Sequence, residues 1–292
     1  MALIASSFGL KKEVIKGTCS WWLKKGFNLS RVSGVTYKKD LLCSSNLESR
    51  VLELKKAFQK STPGEVVWSL RGGYGLQEIL PYLKESDFKT KKTYMGFSDG
   101  TALHYLLNKN LGIASVHSPH ANAAFQKFNK DKINSKINVL LNNPHKFSEV
   151  FKGLRLLNSS VKKSVQAEIV GGNLTTLLSL VGTKYDKGCA GNILFLEEVE
   201  EPAYKVNRML THLDQAGFLK GVRAVVFGHF SHSNKAQEKL VRQILKRWAL
   251  KQKFPVVSGM EAGHVHHKNN PFWLGKKSKL ILDDQPSLLN NI

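Results

Sequence analysis

The sequence predicts an α/β protein organised around a parallel β-sheet. Short apolar runs alternate with amphipathic stretches through the first half of the 292 residues, which is typical of βαβ units. Two of these runs end in glycine-rich turns, at residues 69–75 and 96–100, and each turn opens a helical stretch. The carboxyl ends of parallel strands share one edge of a sheet, where active sites of this fold class lie. We therefore expect both turns at one edge.

The first region contains four predicted strands and four predicted helices. The strands are short apolar runs at residues 3–5, 65–70, 92–95 and 113–117. The helix over residues 46–59 rests on Leu47, Val51, Leu54 and Phe58, which recur at helical spacing. The other predicted helices are residues 12–25, 77–83 and 101–108.

A polar stretch separates this region from a second one. Residues 122–163 are rich in asparagine and lysine, and we expect irregular structure there with a helix at 147–156. Beyond it, the pattern predicts strands at 168–170, 192–196, 222–227, 256–258 and 280–282, and helices at 174–180, 204–216 and 236–251. These shifts predict an N-terminal α/β domain over 1–150, a linker over 151–165 and a C-terminal domain over 166–292.

The formal net charge of +22 raises nucleic acid, membrane and anionic substrates as partners. The lysines come as scattered pairs rather than as a basic tail, and they are not interleaved with aromatic residues, so a generally basic surface is favoured over nucleic-acid binding. There is no apolar run of about 18 residues, the length a membrane-spanning helix needs. Three widely spaced cysteines and a start without the features of a secretory signal favour a cytoplasmic protein.

Residues 96–100, of sequence GFSDG, match the pattern G-x-S-x-G between an apolar strand and a helix. A sharp strand-to-helix turn pushes the hydroxyl of the central serine outward, and the next backbone N–H points toward a developing oxyanion. The sequence therefore predicts Ser98 as a nucleophile. A serine at this place also fits a helix N-cap, and the pattern alone leaves that alternative open.

The second turn, of sequence SLRGGYG at residues 69–75, also follows an apolar strand. On parallel strands the two turns meet, and Gly73 is then placed to offer a second backbone N–H to the oxyanion. A loop kept small for packing is the alternative. A phosphate-binding loop is disfavoured because G-x-G-x-x-G is not completed.

A serine nucleophile needs a base and an acid that orients it. His264 follows a strand and a glycine in the loop EAGHVHH at residues 261–267. His264 and His266 are two residues apart, which also fits a pair of metal ligands on a strand, with His229 and His232 as the further donors. No Cys/His cluster with the spacing of a recognised metal motif is present, however. His266 and His267 fit a polar loop as well.

The acid candidate is Glu197, the first carboxylate after the apolar run 192–196. A carboxylate at the end of a buried strand is costly unless it has a partner. The glutamates that follow it are interpreted as a solvated acidic turn.

Taken in order, these segments resemble the LD-carboxypeptidase family of serine peptidases, whose relatives include the microcin-immunity peptidases. The matching segments are IASS at 4–7, RGGYG at 71–75, GFSD at 96–99, GGNL at 171–174, LFLE at 194–197, NRML at 207–210 and GH at 263–264, then Pro271 and Gly275. The combination of RGGYG with GxSD is the most specific part of the resemblance.

The resemblance implies a Ser98–Glu197–His264 triad and an oxyanion hole from the backbone of Gly73 and Asp99. It also implies a Rossmann- or flavodoxin-like N-terminal domain, a β-rich C-terminal domain and a homodimer. We expect substrate contacts from three residues of the RGGYG turn, namely Arg71, Gly72 and Tyr74. No metal or other cofactor is expected.

The activity implied by the resemblance is removal of terminal D-alanine from a murein tetrapeptide in cytoplasmic cell-wall recycling. Two alternatives remain at this point. The same triad could cleave another amide, such as that of a peptidyl-nucleotide antibiotic. The basic charge could instead mark a nucleic-acid-binding scaffold on the same fold.

Overall fold

The computed structural model describes residues 1–32, 43–59, 65–90, 92–122, 131–158 and 164–292. A six-stranded sheet holds the strands β1 (Ala2–Ile4), β2 (Arg31–Val32), β3 (Val66–Ser69), β4 (Thr93–Gly96), β5 (Ser115–His117) and β12 (Phe272–Leu274). Their spatial order is β12-β5-β4-β3-β1-β2, and all neighbours are parallel except β12, which runs antiparallel to β5. The predicted parallel sheet is confirmed.

The second sheet has eight strands. It contains β6 (Glu149–Phe151), β7 (Arg155–Leu156), β8 (Ser164–Asn173), β9 (Ile193–Val199), β10 (Ala224–Ser231), β11 (Val256–Ser258), β13 (Lys277–Ile281) and β14 (Ser287–Asn290). The order is β6-β14-β13-β8-β9-β10-β11-β7, with β8 to β11 parallel and the outer strands antiparallel. The predicted β-rich α/β second region is confirmed, while the domain boundaries at 150 and 166 stay a prediction.

The α-helices of the described residues connect and cover these strands. They are α1 (Lys12–Lys24), α2 (Leu47–Gln59), α3 (Leu76–Ile79), α4 (Thr101–Tyr105), α5 (Asp131–Asn142), α6 (Leu174–Leu178), α7 (Ala203–Gln215) and α8 (Lys235–Ala249). A π-helical turn (Leu106–Asn110) extends α4, and 3₁₀ turns extend α3 and open α4. None of these helices is long and apolar enough to cross a membrane.

The polar stretch in the middle of the chain differs from its prediction in two ways. The helix expected at 147–156 is wrong, because β6 and β7 occupy these residues and Gly153 turns between them with φ of 71°. The second difference is α5, where irregular structure was expected. Three buried apolar residues, Ile133, Ile137 and Leu140, recur at helical spacing among the asparagines and lysines. This periodicity in the sequence indicates the helix.

The two sheets share apolar packing around α4, the helix that follows Ser98. Leu103 and Leu107, on α4 and its extension, belong to the same buried cluster as Leu174 and Leu196 from the second sheet region. A hydrogen bond from the backbone N–H of Asn173 to Thr101 Oγ1 (2.9 Å) joins β8 to the start of α4. This contact holds the end of β4 against the ends of β8 and β9.

Candidate active site

Ser98 lies in a tight turn at the carboxyl end of β4. Its φ of 60° is in the left-handed region, which a side chain adopts only where the surrounding structure enforces it. The glycines of the turn are required by Tyr94, because a Cβ at Gly96 or Gly100 would lie 2.8 or 2.7 Å from its hydroxyl. The N-cap of α4 is Gly100, and no side chain caps it, so the N-cap interpretation of Ser98 is not supported.

Glu197 and His264 form a hydrogen-bonded pair in which the glutamate is buried and the histidine is partly exposed. Glu197 lies on β9, opposite Asn173 of β8, and its side chain is 0% exposed. His264 Nδ1 lies 2.7 Å from Glu197 Oε2. Gly263 permits this approach, since a Cβ there would lie 2.9 Å from the same carboxylate oxygen. Because the carboxylate can only accept, Nδ1 donates to it, and Nε2 of the imidazole is left as the acceptor.

The charge of this pair decides the protonation of His264. Burial disfavours the imidazolium, but the Glu197 carboxylate and its hydrogen bond favour it, and Glu198 adds to them. The balance raises the pKa of His264 above its ordinary value. The ring is therefore a stronger proton acceptor than a free imidazole.

Glu198 corrects one expectation from the sequence, which placed it in a solvated turn. It is buried on β9 and points to the opposite face from Glu197. Its carboxylate accepts hydrogen bonds from Asn173 Nδ2 (2.9 Å) and from the backbone N–H (2.8 Å) and hydroxyl (2.7 Å) of Thr175. Burial, together with the nearby Glu197 charge, raises the pKa of Glu198. Its role in the described structure is to hold the turn that follows β8.

Ser98 and His264 line one cavity of about 420 Å³ at the carboxyl edge of the first sheet. No hydrogen bond joins their side chains in the part of the chain that the structure describes. The backbone of Gly72 and Gly73 also faces the cavity, and its other polar side chains are Arg71, His120, Asn122 and Asn269.

The two glycine turns are tied together by Asp99. Asp99 Oδ2 accepts a hydrogen bond from the backbone N–H of Leu76 (3.0 Å), at the end of the RGGYG turn. Burial raises the pKa of Asp99, against the effect of its hydrogen bonds and of Arg50. The Arg50 guanidinium is itself buried and donates to the carbonyl oxygens of Gly75 (2.8 Å) and Ser6 (3.3 Å). These two side chains fix the turn that carries Gly73 beside the turn that carries Ser98.

The other predicted residues of the RGGYG turn occupy different environments. Arg71 lies over the Phe8 ring at 4.9 Å, and its side chain reaches the cavity. Tyr74 is 49% exposed and donates to Glu78 (3.1 Å), away from the cavity lining. Gly73 has φ of 112° and packs against Phe8 so closely that a Cβ would lie 2.6 Å from it. Its place therefore admits only glycine.

The histidines considered as metal donors do not converge in the described ranges. His232 pairs with Glu200 (3.5 Å), and His229 is half-buried beneath the loop that carries His264. No group of three or more His, Cys, Asp or Glu side chains among the described residues could hold a metal ion.

Sequence reasoning missed three polar residues of the cavity, namely His120, Asn122 and Asn269. His120 follows β5, the strand beside β4, so its position at a strand end was a usable signal. Asn269 Oδ1 accepts from the backbone N–H of Gly263 (3.0 Å) and lies 3.2 Å from His117 Nε2, which anchors the His264 loop to the first sheet. Nothing local in the sequence indicates that second contact.

Comparisons with known proteins identify the family. The family model of the LD-carboxypeptidase N-terminal domain matches residues 1–118, and that of the C-terminal domain matches residues 166–280. A Rickettsia prowazekii protein provisionally named a carboxypeptidase is 35% identical over 229 residues, covering 77% of this chain and 69% of its own length. The murein tetrapeptide carboxypeptidase of Pseudomonas aeruginosa is 26% identical over 279 residues, covering 90% and 87%. The chain belongs to the LD-carboxypeptidase family.

Solved structures have the same fold over the whole chain. The muramoyltetrapeptide carboxypeptidase of Oxalobacter formigenes matches with a TM-score of 0.84 at 24% identity, covering 100% of this chain and 99% of that one. The microcin C7 self-immunity protein MccF matches with a TM-score of 0.82 at 19% identity, covering 100% and 95%. The family resemblance seen in the sequence is confirmed, and the microcin self-immunity protein shares the fold.

Proposed function

We propose that this protein is a serine-type LD-carboxypeptidase that releases terminal D-alanine from a murein tetrapeptide. The observation that carries the proposal is one cavity lined by Ser98, on its strained turn, and by His264, which is hydrogen-bonded to the buried Glu197. The names of the Pseudomonas and Oxalobacter relatives indicate the substrate.

The charges around the cavity favour a substrate that ends in a carboxylate. Arg71 is the permanent cation of the lining, and the lining contains no aspartate or glutamate side chain among the described residues. A guanidinium binds a carboxylate through paired hydrogen bonds. A peptide with a free carboxyl terminus is therefore drawn in with that terminus near Arg71, as a carboxypeptidase requires.

The proposed reaction follows the triad mechanism. When substrate binds, the Ser98 hydroxyl turns toward Nε2 of His264, which takes its proton as the oxygen attacks the carbonyl carbon. Glu197 keeps the imidazole in the required tautomer and stabilises its cation. His264 then gives the proton to the leaving D-alanine nitrogen, and water attacks the acyl-enzyme by the same route.

The oxyanion of each tetrahedral intermediate needs donors that are already in place. The backbone N–H groups of Gly73 and Asp99 are our candidates, since Gly73 faces the cavity and Asp99 directly follows the nucleophile. The link from Asp99 to Leu76 fixes the separation of the two turns and with it the separation of these donors.

We also propose that the protein acts in the cytoplasm as a homodimer, which the family resemblance implies. The domain division at residues 150 and 166 and substrate contacts from Gly72 and Tyr74 belong to the same proposal.

The test is release of D-alanine from purified tetrapeptide by the wild-type chain and by Ser98→Ala. We expect turnover by the wild type, a loss of about four or more orders of magnitude in Ser98→Ala, and labelling of the wild type alone by a fluorophosphonate. Full activity in Ser98→Ala would refute the triad.

The alternatives give different results in the same experiment. Preferred release of the nucleotide-linked residue from a peptidyl-nucleotide would identify the microcin-immunity type of amide hydrolase. Absence of labelling, together with steeply salt-dependent binding of nucleic acid, would favour the basic scaffold.

A further inference from the structure

A second histidine, His120, lies in the cavity beside the nucleophile. The residue is 7% exposed, and its ring packs against Phe97 with ring centroids 4.4 Å apart. His120 Nε2 lies 3.2 Å from the carbonyl oxygen of Phe97. A carbonyl oxygen can only accept a hydrogen bond, so Nε2 carries the proton and Nδ1 has a free lone pair when the ring is neutral.

The ring is neutral at any pH at which the enzyme is expected to work. Burial, and then the charge of His264, lower the pKa of His120 to about 3. No hydrogen bond of its Nδ1 to another described residue is present. His120 lines the cavity, so a molecule bound there can contact the ring.

His120 lies close to the point of attack. A Cβ built on Gly72 would lie 2.8 Å from His120 Cε1 and 3.0 Å from Ser98 Cβ. Gly72 therefore lies between the two side chains, and its missing side chain leaves them close together. His120 Cε1 and Ser98 Cβ are therefore less than about 6 Å apart, and Nδ1 is the ring nitrogen bonded to that Cε1 on the side away from Nε2. A hydrogen bond accepted by Nδ1 thus reaches groups within about one residue of the carbonyl that Ser98 attacks.

Among the side chains of the lining, His120 and Asn122 keep an acceptor for this task, and His120 is the one that the Gly72 contacts place beside Ser98. Arg71 can only donate hydrogen bonds. Asn269 Oδ1 already accepts from the backbone N–H of Gly263 and lies within hydrogen-bond distance of His117 Nε2. His264 Nε2 is reserved for proton transfer.

We propose that His120 Nδ1 accepts a hydrogen bond from the backbone amide N–H of the substrate residue whose carbonyl Ser98 attacks. The inference rests on the function proposed above. The leaving nitrogen must face His264, which protonates it, so the amide on the acyl side is the donor left for His120. The contact holds the acyl side of the substrate equally in the bound complex and in the transition state, and it takes no part in proton transfer.

Two isosteric variants separate the two nitrogens of the ring. Asparagine places its amide oxygen where Nδ1 lies, whereas glutamine places its amide NH₂ where Nε2 lies. His120→Asn keeps the acceptor and loses the bond to Phe97, and His120→Gln does the reverse. We expect His120→Gln to raise KM for the tetrapeptide about three- to tenfold at nearly constant kcat, and His120→Asn to stay within about twofold.

A change in the substrate completes the test. Replacing the amide that precedes the scissile residue by an ester removes the N–H and leaves a similar shape. The ester should cost the wild type about the same three- to tenfold and should cost His120→Gln nothing further. The inference is overturned if KM rises equally in both variants or in neither of them. It is also overturned if the effect of the ester adds to that of His120→Gln, or if kcat falls beyond about a hundredfold.

Two measurements keep the outcome interpretable. Thermal unfolding and fluorophosphonate labelling report whether each variant is folded with a reactive serine, and His120→Leu replaces His120→Gln if the latter does not fold. Wild-type turnover of the tetrapeptide tests the proposed function by itself. A wild type that is active, with variants that behave alike, refutes the role of His120 and leaves that function intact.

Discussion

Replacing Glu197 by glutamine tests how far the reaction depends on the carboxylate behind His264. The pair is fully buried on the glutamate side, and its donor and acceptor are 2.7 Å apart. With charge centres about 4 Å apart and an effective dielectric constant of about 20, a carboxylate stabilises an imidazolium by about 4 kcal/mol. Since about 1.4 kcal/mol corresponds to a factor of ten in rate, Glu197→Gln should lower kcat/KM by about three orders of magnitude.

The pH dependence gives the same prediction a second readout. In the proposed mechanism His264 must be neutral to accept the serine proton, so we expect kcat/KM to rise with pH through the pKa of His264. That pKa is raised by Glu197 against the opposing effect of burial. Glu197→Gln should therefore move the acidic limb of the profile to lower pH while reducing the plateau, in assays of D-alanine release.

Glu198→Gln is the matched control on the neighbouring residue. Glu198 is also buried but bonds to Asn173 and Thr175 on the other face of the strand. We expect lower stability, by about 1–3 kcal/mol, with kcat/KM within about tenfold of the wild type. A Glu197→Gln enzyme that retains activity within tenfold, or a control that loses as much, would refute the assignment of Glu197.

Two further predictions concern the glycine turn and the buried histidines. Gly72→Ala places a Cβ 2.8 Å from His120, and we expect kcat/KM to fall at least about tenfold with little change in Tm; undiminished activity would contradict the close approach. Burial lowers the pKa values of His104 to about 4 and of His120 to about 3, and that of His117 markedly. Below about pH 6.5 the unfolded chain therefore binds more protons than the folded chain does. The contribution of these histidines to the free energy of unfolding is complete above that pH and is lost as the pH falls, by roughly 1 kcal/mol per pH unit for each histidine near pH 5.5. Urea unfolding at pH 7 and pH 5.5 measures this loss of stability. The raised pKa of His264 partly offsets the loss. A protein that is more stable at pH 5.5 than at pH 7 would contradict the prediction.

The sequence by itself determined the elements that depend on neighbouring residues. Strand, glycine turn and helix follow one another locally, so β3, β4 and the helices after them could be placed from periodicity and turn chemistry. The parallel arrangement followed from their alternation. The order of motifs then indicated Ser98, Glu197 and His264 before any contact was known, and the structure brings Glu197 and His264 into contact beside the cavity of Ser98.

Only the tertiary structure decided which groups are buried together. Glu197 and Glu198 point to opposite faces of β9, and both are buried because β9 is a central strand covered on its two faces, which no local pattern reveals. Strand β12 joins the first sheet by pairing Phe272 with His117, across 155 positions of the chain. His120 meets Ser98 only because β4 and β5 are neighbours in that sheet. Contacts between residues distant in sequence depend on sheet order, and sheet order is a property of the folded chain as a whole.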